Sequence, residues 1–130
     1  MVALLPILVW FAQGLTAAIF LQTLYFKFTG STESVEIFSA LGLEPWGRYI
    51  VGVFELIAAV LLIIPKTAWY GAVLSLFIIV PAIIVHLFKI GIVVQDDKGL
   101  LFGLAIAVFV LSIAVLIIRW NQGPFAFKLM

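Results

Sequence analysis

Five residues of this chain can ionise or trade protons while sitting inside or at the ends of long apolar stretches: Glu55, His86, Lys27, Lys89 and Arg48. Glu55 is the most demanding, because it interrupts GRYIVGVFELIAAVLLIIP between Gly47 and Pro65. An ionised carboxylate at the centre of a membrane helix costs about 3 kcal/mol on insertion scales, so it faces a bundle interior and finds a donor there. Two chemistries fit the group. In one, Glu55 bonds His86 or Lys27 as a contact between helices, worth about 1 kcal/mol, that specifies the packing. Arg48 and Lys89 then extend to headgroups. In the other, the cluster is a ligand or proton site, with His86 and Lys27 donating to a carbonyl such as that of a quinone, while Glu55 orients them or relays a proton.

Either chemistry needs elements that bring the five residues to one depth. Four stretches, about 3–26, 47–64, 68–92 and 99–118, are apolar and long enough to cross a hydrocarbon core of about 30 Å at about 1.5 Å per residue. The reading is therefore an all-α, integral membrane, antiparallel four-transmembrane-helix bundle occupying one domain over residues 1–130. Antiparallel spans place the end of the first helix, the start of the second and the end of the third on one side, where all five residues lie. Within the second span, steps of three and four from Glu55 reach Arg48, Gly52, Ala59 and Leu62, which marks the inward face. In the first span Gln13, Thr16, Ala17, Phe20 and Lys27 share a face, with Gln22 nearly opposite Gln13.

The connections carry the remaining signals. Between the first two spans, KFTGSTESVEIFSALGLEPW has Val35, Phe38 and Leu41 at helical spacing, and the reading is a short interfacial helix over about 31–41. Ile64-Pro65-Lys66-Thr67 is a tight turn. Pro81 removes a backbone hydrogen bond in the third span and predicts a kink just before His86. Asp96 and Asp97 mark a short acidic turn. Small residues at Gly52, Gly71, Gly99, Gly103 and Ala107 suit close helix packing; Gly99, Gly103, Ala107 and Ala114 read as a seam inside the bundle, with contact between two copies through Gly99-x-x-x-Gly103 as the alternative. The side with both termini holds Lys66, Arg119 and Lys128 with no acid. With Lys27 and Lys89 drawn into the bundle, the tally of basic residues places the termini in the cytoplasm.

Composition narrows the function classes. The chain is 66% hydrophobic and 10% charged, far below the charged fraction of soluble domains, which identifies an integral membrane protein in contact with lipid. A net charge of +1 gives no basic stripe to neutralise phosphates, so nucleic acid is excluded as a partner. With no cysteine there is no disulfide, thiol nucleophile or thiolate metal site. One histidine without cysteine argues against a metal centre, and the Asp96-Asp97 pair lacks the spacing of a calcium loop. No residue stands out as catalytic: Ser75 and Ser112 read as packing residues, and no glycine-rich phosphate loop is present.

Several segments together resemble the DoxX family of small four-helix membrane proteins: Lys27-Phe28-Thr29-Gly30, Leu41-Gly42-Leu43-Glu44-Pro45-Trp46-Gly47, the Glu55 helix, Gly71-Ala72, His86-Leu87, and Asp97-Lys98-Gly99-Leu100-Leu101-Phe102. The resemblance implies a multi-pass protein of the bacterial inner membrane. It also implies relatives linked to thiosulfate:quinone oxidation or to membrane oxidoreductase complexes. Relatives with cysteines suggest thiol redox work, from which this chain departs by having none. Two functions stay open. One is a non-catalytic accessory or structural subunit that packs against another membrane protein or a second copy. The other is a quinone- or lipid-binding component of a membrane oxidoreductase system using Glu55, His86 and Lys27, with quinone as its cofactor.

Overall fold

The computed structural model describes residues 4–91 and 99–120. Among them it is all helical. The elements are α1 (Leu5–Thr29), α2 (Thr32–Ala40), α3 (Trp46–Ile63), α4 (Ala68–Val85), which continues as a π-helical turn over His86–Ile90, and α5 (Leu100–Ile118). Four helical segments, Leu5–Thr29, Trp46–Ile63, Pro65–Lys89 and Leu100–Ile118, are long and apolar enough to cross a membrane. Together they form an all-α membrane bundle.

Local chemistry sets the ends of these elements. Pro6 stands in the first turn of α1, where its missing N–H is harmless. The helix stops at Gly30, whose left-handed backbone (φ 70°) turns its N–H onto the Phe26 carbonyl. Lys27, Phe28 and Thr29, expected in the connection, are therefore helical, and that fixes the direction of the Lys27 side chain. Ser31 caps α2 by accepting from the Ser34 N–H at 3.2 Å. A single 3₁₀ turn, Pro65–Thr67, joins α3 to α4 and makes them antiparallel neighbours. The acidic turn at Asp96 and Asp97, Ile92 at the expected end of the third span, and the tail with Lys128 lie outside the described residues.

In the bundle α1 packs on α3 and α5, and α4 packs on the same two helices, so α1 and α4 stand on opposite corners. The core is built of small residues, Ala58, Ala59, Ala68 and Ala72, interlocked with Phe20, Leu62, Val108 and Val115. Buried hydroxyls return to their own helices: Thr16 donates to the Ala12 carbonyl and Ser75 to the Gly71 carbonyl, both at 2.7 Å. The outward faces carry large apolar side chains such as Phe77, 74% exposed, and Phe88, 83% exposed, as a lipid solvent requires.

The small residues divide by what surrounds them. A Cβ on Gly71 would stand 2.8 Å from the Leu62 backbone nitrogen, and one on Gly52 would stand 3.0 Å from the Phe28 ring. Those two glycines let α4 and α1 approach α3. Ala107 packs against the core. The seam expected from Gly99 and Gly103 inside the bundle does not form. Gly99 is the left-handed residue that starts α5, and Gly103 faces outward with nothing within 4 Å of an added Cβ. Periodicity put Gly99, Gly103 and Ala107 on one stripe, but the stripe runs along the edge of the buried face, so only its Ala107 end reaches a neighbouring helix.

These surroundings set a paired expectation. Gly71→Ala overpacks the α3–α4 contact and lowers stability by about 1–3 kcal/mol, whereas Gly103→Ala leaves it unchanged or raises it. Thermal unfolding in detergent checks both, and equal midpoints for the two variants would contradict the packing described.

Candidate functional site

Glu55 is the ninth residue after Trp46 and the eighth before Ile63, the middle of its span. Side chains on a helix lean toward its N-terminus. On α3 that end lies on the same side of the membrane as the C-terminal end of α1, so Glu55 leans outward toward that side. On α1 the same rule tips Lys27 inward. The two therefore converge across the α1–α3 contact: Lys27 Nζ lies 3.1 Å from Glu55 Oε1 and donates to Oε2 at 3.3 Å. Thr23, one turn before Lys27 on the same face, donates its hydroxyl to Oε2 at 3.0 Å. The carboxylate side chain is 5% exposed and the lysine 16%. Oε1 faces the ammonium without hydrogen-bond geometry and keeps one buried acceptor position open among the described residues.

Arg48 closes the same seam one step further out. It is buried, and its guanidinium turns to groups of the protein. Its guanidinium grips Glu44 with a fork, Nε at 2.9 Å and Nη2 at 2.6 Å from Oε1. Its Nη1 donates to the carbonyl of Lys27, one of the groups that the end of α1 leaves unpaired within the helix. The fork lies beside Gly30, where a Cβ would stand 3.5 Å from Nη1, and over the Tyr49 ring at 4.6 Å from its centroid. Arg48 thus ties the start of α3 to the last turn of α1 and holds in place the backbone that carries Lys27.

His86 and Lys89 do not join this group. His86 is buried, with Nδ1 3.0 Å from the Gly91 carbonyl oxygen, to which it donates, and with its ring edge-on to Phe102 of α5 at 5.7 Å. It caps the end of its own helix and faces the α4–α5 contact, on the opposite corner from α1. Lys89 is exposed at the end of the π-helical turn. The α-helix runs through Pro81 without a break, and a π-helical turn follows from His86 to Ile90. The five residues therefore resolve into Lys27, Glu55 and Arg48 on the α1–α3 seam and a separate His86–Lys89 end of α4.

Two partners were not singled out from the sequence, Thr23 and Glu44. Each stands four residues before a basic residue, Thr23 before Lys27 and Glu44 before Arg48. That spacing was a usable signal for Thr23, which shares a helix with Lys27; Glu44 precedes α3, and its pairing depends on the turn at Pro45. Among the described residues no group of three His, Asp or Glu is placed to hold a metal ion.

With this geometry in view, residues 11–116 match the DoxX-like family, and the chain belongs to it. No curated protein and no solved structure matches the chain.

The pair sets a testable asymmetry. Lys27→Met strands a buried carboxylate and Glu55→Leu strands a lysine, each expected to cost about 3 kcal/mol or more. Joining the two changes removes both charges and recovers most of that loss. Denaturation midpoints of the three variants check this, and a double variant as unstable as the sum of the singles would argue against direct pairing.

Proposed function

We propose that this chain is a non-catalytic accessory or structural subunit of a larger membrane complex in the bacterial inner membrane, with its termini in the cytoplasm. The observation that carries the reading is the use to which the intramembrane polar groups are put. Glu55 binds α1 to α3 through Lys27 and Thr23, Arg48 closes the end of α1, and His86 caps α4. Each of these contacts fixes helix ends and crossings. What the bundle offers outward is a broad apolar surface, suited to lipid and to the spans of another membrane protein or a second copy. The basic residues Lys66 and Arg119 on the terminal side support the orientation.

A second reading rests on Glu55 Oε1. A buried carboxylate oxygen with an open acceptor position suits the hydroxyl of a quinol, with Lys27 as a donor to the carbonyl of the oxidised form. In that reading the seam between α1 and α3 is the ligand site of an oxidoreductase system, and His86 is not part of it.

Glu55→Gln separates the two. The amide keeps the shape and an acceptor for Lys27 and Thr23 but cannot carry charge or shuttle a proton. In cells lacking the chain, the accessory reading expects a loss of the partner complex that Glu55→Gln restores to near the normal level. Isoprenoid quinone that co-purifies in fixed proportion and is lost in a folded Glu55→Gln protein would favour the second reading.

A further inference from the structure

At the opposite end of the bundle a second polar group is assembled from three helices. Gln13 of α1 is fully buried, and its amide donates to the Leu62 carbonyl of α3 at 2.7 Å. Its side-chain oxygen accepts from Nε of Arg119, at the end of α5. The same guanidinium lies over the Trp10 ring, 5.6 Å from its centroid. The arginine is thus held at one edge by a buried amide and on one face by an indole. Among the described residues, Nη1 and Nη2 are left to an acceptor from elsewhere. Among the described residues, the buried indole N–H of Trp120, the next residue along the chain, has no hydrogen-bond partner.

Among the described residues no carboxylate side chain stands at this end. The chain's six acids are Glu33, Glu36, Glu44, Glu55, Asp96 and Asp97. Glu33 and Glu36 lie on α2, Glu44 is paired with Arg48, and Glu55 with Lys27. Asp96 and Asp97 lie outside the described residues. A guanidinium fixed in place at the membrane boundary, with no acid side chain beside it among the described residues, suits an external anion whose oxygens match a fork of N–H donors.

We propose that Arg119, positioned by Gln13 and Trp10, is the anchor of a binding site for the phosphate of an anionic phospholipid headgroup. The acyl chains of that lipid run along the apolar outer faces of α1 and α5, and the phosphate meets the guanidinium fork. Gln13 is the positioning residue. It converts a flexible arginine at the interface into a fixed one, so the site retains a lipid rather than merely meeting headgroups in passing.

The test is lipid retention by the purified protein, read by native mass spectrometry after exchange into micelles doped with phosphatidylglycerol or phosphatidylcholine. The wild type is expected to retain phosphatidylglycerol in preference, and Arg119→Gln to lose it by roughly tenfold or more, the scale of a hydrogen bond to a charged group. Gln13→Glu is the sharper variant. It supplies an internal carboxylate to Arg119 but loses the amide donor to the Leu62 carbonyl, so displacement of the lipid is read on protein whose helices circular dichroism shows intact. Helicity by circular dichroism confirms the fold of both variants. Retention unchanged in folded Arg119→Gln, or phosphatidylcholine held as well as phosphatidylglycerol, would overturn the proposal. Release of the lipid by a modest excess of inorganic phosphate would overturn the lipid as the ligand in favour of free phosphate.

Discussion

Everything at the middle of this bundle depends on one constraint: a carboxylate at the centre of a membrane span has to be paired within the protein. Glu55 meets it because α1 and α3 are antiparallel and side chains lean toward helix N-termini. Lys27 can reach inward and Glu55 outward only when α1 remains helical through Thr29, and Gly30 ends it there. Arg48 then takes the carbonyl of Lys27 and anchors that last turn to the start of α3. The ion pair, the helix stop and the arginine fork are thus one unit. Removing any of the three leaves a buried charge or an unpaired carbonyl in hydrocarbon, where neither finds water.

Glycine placement follows from the same requirement. A short ion pair between α1 and α3 requires the helices to lie close, and Gly52 admits the Phe28 ring of α1 directly above Glu55 on the α3 face. On the other flank of α3, Gly71 lets α4 approach the backbone at Leu62, whose carbonyl is in turn the acceptor for Gln13. The backbone of α3 around Leu62 is therefore contacted from both sides, by a glycine of α4 and an amide of α1. The helix that carries the buried carboxylate is held along its whole length.

Much of this was legible in the sequence, for reasons that can be named. Four apolar runs of membrane length, a Pro-Lys-Thr turn and the run Arg48, Gly52, Glu55, Ala59 and Leu62 at helical spacing specify the spans and the inward face of α3, and all five of those residues are buried. Depth alone, however, could not choose among Lys27, His86 and Lys89 as the partner of Glu55. The choice depends on which helices are neighbours and which are diagonal, and four spans with short connections leave that open. The π-helical turn at His86 was equally hidden, because Pro81 drew attention to a residue five positions earlier, where the helix in fact continues. Gly103 shows the limit of a periodic stripe. Spacing says that residues share a face, but not whether another helix stands opposite it.

The two ends of the bundle solve the same electrostatic problem differently. Toward the α2 side, Arg48 has Glu44 from its own chain, and Lys27 has Glu55. Toward the terminal side, Arg119 has only the neutral amide of Gln13 and the face of Trp10 among the described residues. An amide oxygen and an indole face orient a guanidinium, but they do not neutralise it. The net charge of +1 hides this division, because Glu44 and Glu55 are already paired with Arg48 and Lys27 and cannot also balance a cation at the other end across a low-dielectric core. The bundle is therefore closed electrostatically on one side and open on the other.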